Sequence, residues 1–201
     1  MCFVLFAVPP GGSWKKKSSH MVHTFVVYVD DKPGVLNRVA SLFRRRAFNI
    51  ESLTVGHTEQ PGVSRMTVVA DTDAYGARRL EANLYKLVPV RRVDDITTSP
   101  SIVRDLALIK VASTGESRTH VMQLVDVYRA RVVDVSPESL VIEATGTEDK
   151  IDSLLEVLRP FGVLEMVRTG RIAMARGKRA ARTAEALPEN LIADDVSIGS
   201  V

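Results

Sequence analysis

The stretch DDKPGVLNRVASLFRRRAFNIES, residues 30–52, carries the chain from a strand into a helix and out again. The β-rich run HTFVVYV (23–29) precedes it, and the β-rich run NIESLTVGH (49–57) overlaps its end. Between them, apolar residues recur at the i, i+3, i+4, i+7 spacing of a helix with one buried stripe, namely Leu36, Val39, Ala40 and Phe43. The pattern predicts a helix that begins at Val35, directly after the Pro33-Gly34 step.

The elements that follow complete one folding unit. SRMTVVAD (64–71) is predicted to be a strand that pairs with the preceding one across a Pro61-Gly62 turn. Asp73 can cap a second helix, whose apolar stripe is Ala77, Leu80, Leu84 and Leu87. PVRRVDDI (89–96) is a last strand, and Pro89 indicates that it lies at the edge of the sheet. The order β-α-β-β-α-β is that of the ferredoxin-like fold.

The same order recurs in the second half of the chain. Four strand-like runs, DLALIKVA, RVVDV, SLVIEAT and GVLEMVRT, alternate with two amphipathic helices, the second capped near Thr147. The sequence therefore predicts an α+β protein with two ferredoxin-like βαββαβ domains in tandem. The domains cover residues 22–98 and 104–176, and a short polar linker at 99–103 joins them.

The two ends of the chain differ from the domains in composition. The leader, residues 1–21, contains the only Cys, the only Trp and three of the 27 Lys and Arg residues, so the rest balances the 24 acids. We expect the leader to be disordered, or the true start to be Met21. Residues 177–201 lack sustained periodicity and are expected to form a disordered tail.

The sequence favours a cytoplasmic protein. No uninterrupted apolar run reaches the roughly 18 residues that a membrane-spanning helix requires. The apolar run near the N-terminus has no basic residues before it, unlike a secretory signal. Beyond Cys2 the chain has no cysteine, and therefore neither disulfides nor thiol chemistry.

Catalytic and metal sites are not indicated. The four histidines, His20, His23, His57 and His120, lack metal-ligand spacing. No phosphate-binding loop, dinucleotide fingerprint or nucleophile elbow occurs. Asp30–Asp31 and Asp94–Asp95 are adjacent acids at strand ends, and neighbours in a strand point to opposite faces. We therefore predict no catalytic residue, no metal and no cofactor bound by this chain.

A nucleic-acid-binding module is the minor alternative, because RNA-recognition modules share this order of elements. Those modules stack bases on aromatic side chains of their central strands, and RMTVVAD has none. The basic clusters Arg44–Arg46 and Arg91–Arg92 are better explained as solvated ends, the first complementing a helix dipole.

The turn at Asp31-Lys32-Pro33-Gly34 can serve as a ligand site. The first N–H groups of the helix have no intrahelical partner, and Gly34 has no side chain to shield them, so they suit a small anion such as a carboxylate. Asp31 beside them suits an ammonium group. The simpler interpretation of Pro33-Gly34 is a plain loop, and Asn49 can simply cap the turn after the helix.

The same residues carry a family resemblance. DDKPGVLNRVASLFRRRAFNIESLTVG followed by SRMTVV resembles the N-terminal ACT domain of the small regulatory subunit of acetolactate (acetohydroxyacid) synthase. The likeness continues through LALIKV, VVDVSPESLVIEATG and TGRIAMARG, and covers roughly residues 23–177. NIESLTVG with SRMT is specific to this subunit, whereas ACT domains alone are widespread.

The resemblance implies a regulatory chain without an active site of its own. The family's small subunit binds a large catalytic subunit that uses thiamine diphosphate, Mg²⁺ and FAD to join two pyruvates, or pyruvate and 2-oxobutyrate. It raises that subunit's activity and makes it sensitive to feedback inhibition, usually by valine. A stand-alone ACT module that senses an amino acid for another enzyme is the rival, and the VVDVSPESLVIEATG domain argues against it.

In this family two ACT domains pair side by side, which implies a homodimer with the effector at its interface. The resemblance implies that the effector-binding residues are Asp31, Gly34, Val35 and Leu36 of one chain with Asn49 and Ile50 of the other.

The chain departs from the family pattern at two positions. Many relatives have Asn at the position of Asp31, which attracts an ammonium but repels a carboxylate and leaves the effector's identity open. Many have Gly at the position of Ala47, so this turn either does not need a positive φ or tolerates strain. The second repeat has no D-x-P-G equivalent, and we expect no second effector site there.

Overall fold

A computed structural model describes residues 21–177. The predictions made for most of the leader and for the tail beyond residue 177 lie outside these residues. Among residues 21–177, none of the helices is long and apolar enough to span a membrane.

The first domain is a four-stranded antiparallel sheet with two helices on one face. Its elements are β1 (Met21–Asp30), α1 (Val35–Arg45), β2 (Ser52–His57), β3 (Val63–Thr72), α2 (Ala74–Tyr85) and β4 (Val90–Asp95). The strand order β2-β3-β1-β4 is that of the ferredoxin-like fold, and β4 lies at an edge, as Pro89 predicted. The other edge is β2, which pairs only with β3 within the described residues.

Alternate residues of the central strands build the first core. Phe25, Val27 and Val29 of β1 and Met66 and Val68 of β3 pack against the helices. The buried face of α1 consists of Val35, Val39, Leu42 and Phe43.

The prediction that Leu36 belongs to the buried stripe of α1 is wrong. Leu36 is 44% exposed, whereas Val35 is buried. Val35, Val39 and Phe43 are buried at i, i+4 spacing, so the buried face of α1 includes Val35 instead of Leu36. Over so short a helix, a 3.6-residue period does not decide between two adjacent residues at its first turn.

The second domain repeats the first. Its elements are β5 (Ser101–Ala112), α3 (Gly115–Val127), β6 (Arg131–Val135), β7 (Ser139–Gly146), α4 (Glu148–Leu158), β8 (Val163–Arg168) and β9 (Ile172–Ala175). The order β6-β7-β5-β8 matches that of the first sheet. Its core lies between this sheet and its two helices and contains Ile109, Ile142, Ile151, Leu154 and Leu158.

The junction between the domains differs from a simple polar linker. Ser101–Val103, assigned to the linker from sequence, form the first part of β5 and pair with β9. The resulting ribbon packs on the outer face of the first sheet, where Val26, Ile96 and Ala173 form a small apolar cluster. Arg65 also donates to the carbonyl of Ala173. A four-residue strand that depends on such a distant partner has little local signal.

Both α1 and α3 end in a Schellman turn that contains a non-glycine residue with a positive φ. Phe48 N–H donates to the Phe43 carbonyl at 3.0 Å, and Ala130 N–H donates to the Val125 carbonyl at 2.9 Å. Ala47, at the turn after α1, has φ 55°, and its counterpart Arg129 has φ 50°. The turn therefore does need the left-handed conformation, and Ala47 tolerates its strain.

Candidate functional site

The β1–α1 loop leaves the start of α1 open. Asp31 N–H donates to the Gly62 carbonyl at 3.0 Å, which anchors the loop to the β2–β3 turn. Gly34 precedes the helix with φ 83°, a left-handed conformation that favours glycine, and no side chain caps the helix there. A β-carbon added at Gly34 would have no heavy atom within 4 Å apart from those of residues 33–35. The first intrahelical bond runs from Arg38 N–H to the Gly34 carbonyl at 3.1 Å, so the N–H groups before Arg38 have no intrahelical acceptor.

Acidic side chains line the strand end of this loop. Asp31 is 43% exposed at its side chain, accepts from Ser64 Oγ at 3.1 Å and lies 3.2 Å from His57 Nδ1. These contacts hold one carboxylate beside the open amides without burying it. The loop therefore presents hydrogen-bond donors and a negative charge next to each other, a combination that suits a zwitterion.

Asp30 forms ion pairs with neighbouring side chains of the loop and of β4. It accepts from Lys32 Nζ at 2.9 Å and from Arg91 Nε at 2.7 Å. The hydrogen bond from Lys32, then that from Arg91, lowers the pKa of Asp30 below its ordinary value. The charge of Lys32 is thus directed towards Asp30.

Four of the predicted site residues come together within one chain. Asp31 and Gly34 lie in the loop, and Val35 and Leu36 form the first helical positions. Val35 has its side chain in the core, and its backbone N–H donates to the Lys32 carbonyl at 3.4 Å. Leu36 is the exposed apolar side chain next to the open amides.

Asn49 and Ile50 lie elsewhere in the same chain. They follow the opposite end of α1, whose 11 residues span about 16 Å. They precede β2 rather than open it, because that strand begins at Ser52. Asn49 is exposed, and Ile50 is half-buried against the core. The structure of one chain therefore does not bring all six predicted residues together.

The corresponding loop of the second domain is closed. It is shorter, and Thr114 and Ser117 form a capping box at the start of α3. Arg118 fills the loop: its Nη2 donates to the carbonyls of Ser136, Pro137 and Ser113 at 2.6, 2.8 and 3.1 Å. The start of α3 thus differs from the uncapped start of α1, and the absence of an effector site in the second repeat stays a prediction.

Sequence reasoning missed the partners of Asp31. Ser64 and His57 lie on β3 and β2 and face each other in the hairpin register. The Pro61-Gly62 turn predicts a β2–β3 hairpin, and the register of that hairpin places His57 opposite Ser64. Within residues 21–177 no cluster of three His, Cys, Asp or Glu side chains could hold a metal ion.

Comparison with known protein families agrees with the two-domain organisation. Residues 25–92 match the model of the AHAS small subunit-like ACT domain, and residues 104–177 match that of the small subunit of acetolactate synthase.

Individual relatives match over nearly their full length. A probable acetolactate synthase small subunit of Archaeoglobus fulgidus is 48% identical, over 79% of this chain and 99% of the relative. The acetolactate synthase small subunit of Mycobacterium bovis is 47% identical, over 83% of this chain and 99% of the relative. The crystal structure of the acetolactate synthase small subunit of Thermotoga maritima superposes with a TM-score of 0.74 at 38% identity, covering 79% of this chain and 99% of that one.

The fold and the relatives define a regulatory-type chain built from tandem ACT-like domains. The chain belongs to the acetolactate synthase small-subunit family.

Proposed function

We propose that this chain is a regulatory subunit that activates an acetolactate synthase catalytic subunit and makes it sensitive to feedback inhibition by a branched-chain amino acid, with valine as the proposed effector. Family membership supports the pairing with a catalytic chain. The observation that carries the effector proposal is the open helix start at Gly34, with Asp31 beside it.

In the proposed binding mode each polar end of the amino acid has its own partner. The carboxylate of the effector accepts hydrogen bonds from the free N–H groups at the start of α1, where the helix dipole favours a negative charge. The ammonium group lies towards Asp31, whose carboxylate Ser64 and His57 orient. Leu36 contacts the aliphatic side chain of the effector.

The second chain completes this site. Pairing of two β2 edges would build a continuous sheet across a homodimer, since an antiparallel edge offers unpaired N–H and C=O groups. It would place Asn49 and Ile50 of one chain near the Gly34 loop of the other. Asn49 supplies both a donor and an acceptor, which suits a zwitterion.

The chemistry of acetolactate formation is assigned to the catalytic partner. Thiamine diphosphate, Mg²⁺ and FAD are proposed to bind there, and no cofactor is assigned to this chain. The pair would act in the cytoplasm, in the biosynthesis of valine, leucine and isoleucine.

Reconstitution with the catalytic subunit of the same organism tests the proposal. We expect the isolated chain to turn over no pyruvate, to co-purify with the catalytic subunit and to raise its rate several-fold. Titration with valine, leucine and isoleucine then identifies the effector. Pyruvate turnover by the highly purified chain alone, or failure to bind the catalytic subunit, would contradict the proposal.

A further inference from the structure

The C-terminal domain touches β2 of the first domain through a two-residue segment, Gly170 and Arg171, which we call the clasp. It lies between β8 and β9 and crosses the outer face of the first sheet at β2. The apolar cluster beside it is formed by Val26 of β1, Ile96 after β4 and Ala173 of β9, and does not include β2.

Gly170 lies so close to β2 that no side chain fits. A β-carbon there would lie 2.5 Å from Thr54 Oγ1, 2.7 Å from Ser52 Oγ and 3.0 Å from the Leu53 carbonyl oxygen. The glycine is therefore required by proximity to another backbone.

Arg171 joins both domains through three hydrogen bonds. Its backbone N–H donates to Ser52 Oγ at 2.8 Å, and its Nη1 donates to Thr24 Oγ1 at 3.3 Å. Its Nη2 donates to Glu148 Oε2 at 2.7 Å. Thr24 and Ser52 belong to the first domain, whereas Glu148 opens α4 of the second. The guanidinium presents donors to both partners in a fixed planar fork, which an ammonium group lacks.

Arg168 anchors the second-domain side of the clasp. Its Nη2 donates to the buried Asp105 carboxylate at 2.6 Å, and its Nη1 donates to Asp152 at 3.0 Å. Burial opposes the charge of Arg168, but the hydrogen bond and charge of Asp105, with the charges of Asp152 and Glu148, raise its pKa above the ordinary value. Glu148 lies 3.9 Å from Arg168 and is thereby shared with Arg171.

The clasp lies beside an open cleft of about 670 Å³ between the domains, which Ser52, Gly170 and Arg171 help to line. Ser52 is three residues after Asn49, so a shift of the start of β2 displaces Asn49 and Ile50 as well.

We propose that Gly170 and Arg171 are positioning residues for the effector site: they hold the start of β2, and hence Asn49 and Ile50, in the place where the second chain's loop can use them. The inference rests on the proposed function. It means that effector binding and the arrangement of the C-terminal domain are coupled through Arg171 and Glu148.

Arg171→Ala in the reconstituted enzyme tests this, with Arg131→Ala as the matched control. Arg131 also bonds a carboxylate, Glu143, at 2.7 Å, within the C-terminal domain and away from β2. We expect Arg171→Ala to raise the half-inhibiting amino acid concentration roughly three- to tenfold, with activation in its absence unchanged. Arg131→Ala should leave both unchanged.

Two milder variants keep the inference testable if Arg171→Ala fails to fold. Ser52→Ala removes only the acceptor of the Arg171 N–H, and Arg171→Lys keeps a charge near Glu148 but loses the fork; both should give intermediate shifts. Hydrogen exchange at residues 52–57 should accelerate in Arg171→Ala and stay unchanged in Arg131→Ala. These measurements separate positioning from general loss of stability, which would lower activation as well.

Two failures can be told apart. Wild-type inhibition in folded Arg171→Ala and Ser52→Ala proteins would overturn the inference while leaving the proposed function intact. A wild-type enzyme that responds to no branched-chain amino acid would overturn the effector proposal and, with it, the role of the clasp.

Discussion

The β1–α1 loop and the β5–α3 loop have equivalent positions and equivalent backbone hydrogen bonds in the two domains. Asp31 N–H donates to the Gly62 carbonyl at 3.0 Å, and Ser113 N–H donates to the Glu138 carbonyl at 2.8 Å. Yet α1 is preceded by Gly34, which has a left-handed conformation and no side chain to cap the helix, whereas α3 begins with a capping box. One loop leaves its amides available to a ligand, and the other satisfies its polar groups internally. A duplicated fold can thus keep its backbone pairing while only one copy keeps an uncapped helix start.

Gly34→Asp in the first loop should produce the largest change, a loss of effector inhibition. A carboxylate at position 34 would satisfy the open amides and repel the effector. Charge-assisted hydrogen bonds are worth about 1.5–3 kcal/mol each, so the loss of two weakens binding roughly a hundredfold or more. The φ of 83° adds a strain of about 1–2 kcal/mol, which Asp tolerates better than most residues. Valine titration of the reconstituted enzyme measures the loss, and activation should persist.

Gly115→Asp is the matched control in the second domain. Gly115 is the first residue of α3, and a β-carbon added there would likewise meet no heavy atom within 4 Å outside its chain neighbours and the nearby helix backbone. Inhibition should stay at the wild-type level there. Equal loss of inhibition in both variants would mean that the two loops do not differ in function; unchanged inhibition in folded Gly34→Asp would place the effector elsewhere.

Arg118→Ala should open the second loop. It removes the donor to three carbonyls, beside the fully buried Ser113. We expect the free energy of unfolding to fall by about 2 kcal/mol, the usual range for a hydrogen bond with a charged group, with effector inhibition unchanged. Urea denaturation measures the change. Lys32→Ala, which removes one exposed hydrogen bond to Asp30 in the first loop, should lower stability less than Arg118→Ala does. Equal stability of Arg118→Ala and wild type would contradict a closing role for Arg118.

Ala47→Gly and Arg129→Gly examine a feature that the domains share. Both residues have a positive φ, so glycine should stabilise the protein by about 0.5–1 kcal/mol after its greater unfolded-state entropy is subtracted. Ala40→Gly inside α1 should instead destabilise by about 1 kcal/mol. Thermal unfolding of the three variants gives the signs, and a loss of stability at position 47 would show that the turn is not strained.

Asp30→Asn should give the smallest effect. Its counterpart by backbone pairing is Ala112, so this ion-paired acid belongs to the first loop alone. Because the folded pKa of Asp30 is depressed, its contribution is present above about pH 4 and is lost as the pH falls through the folded pKa. Urea unfolding at pH 7, 5 and 3 should therefore show wild type and variant converging at the acid end. A difference that grew towards pH 3 would contradict the depressed pKa.

The repeating parts of the fold were predictable because they depend on local patterns. The switch between two- and 3.6-residue periods located both βαββαβ units, and Pro89 located an edge strand. The Pro33-Gly34 step correctly placed the start of α1 at Val35.

The remaining features depend on distant contacts. β9 forms only because the start of β5 lies beside it, and Gly170 is required only by the approach of β2. Nothing in the local sequence around Arg118 indicates that its side chain reaches three carbonyls. The proposed link between Asn49 and the Gly34 loop involves a second chain, so neither a sequence pattern nor a single chain contains it.

A mixing experiment tests the shared effector site most directly. Gly34→Asp and Asn49→Ala each impair both sites of a homodimer, but a dimer with one chain of each kind keeps one intact site. Calorimetry of the two co-expressed variants should therefore recover about a quarter of the wild-type valine-binding capacity if chains pair at random, while each variant alone binds weakly. A co-expressed mixture as inert as its parents, in proteins that still dimerise, would contradict a site built from the Gly34 loop of one chain and Asn49 of the other.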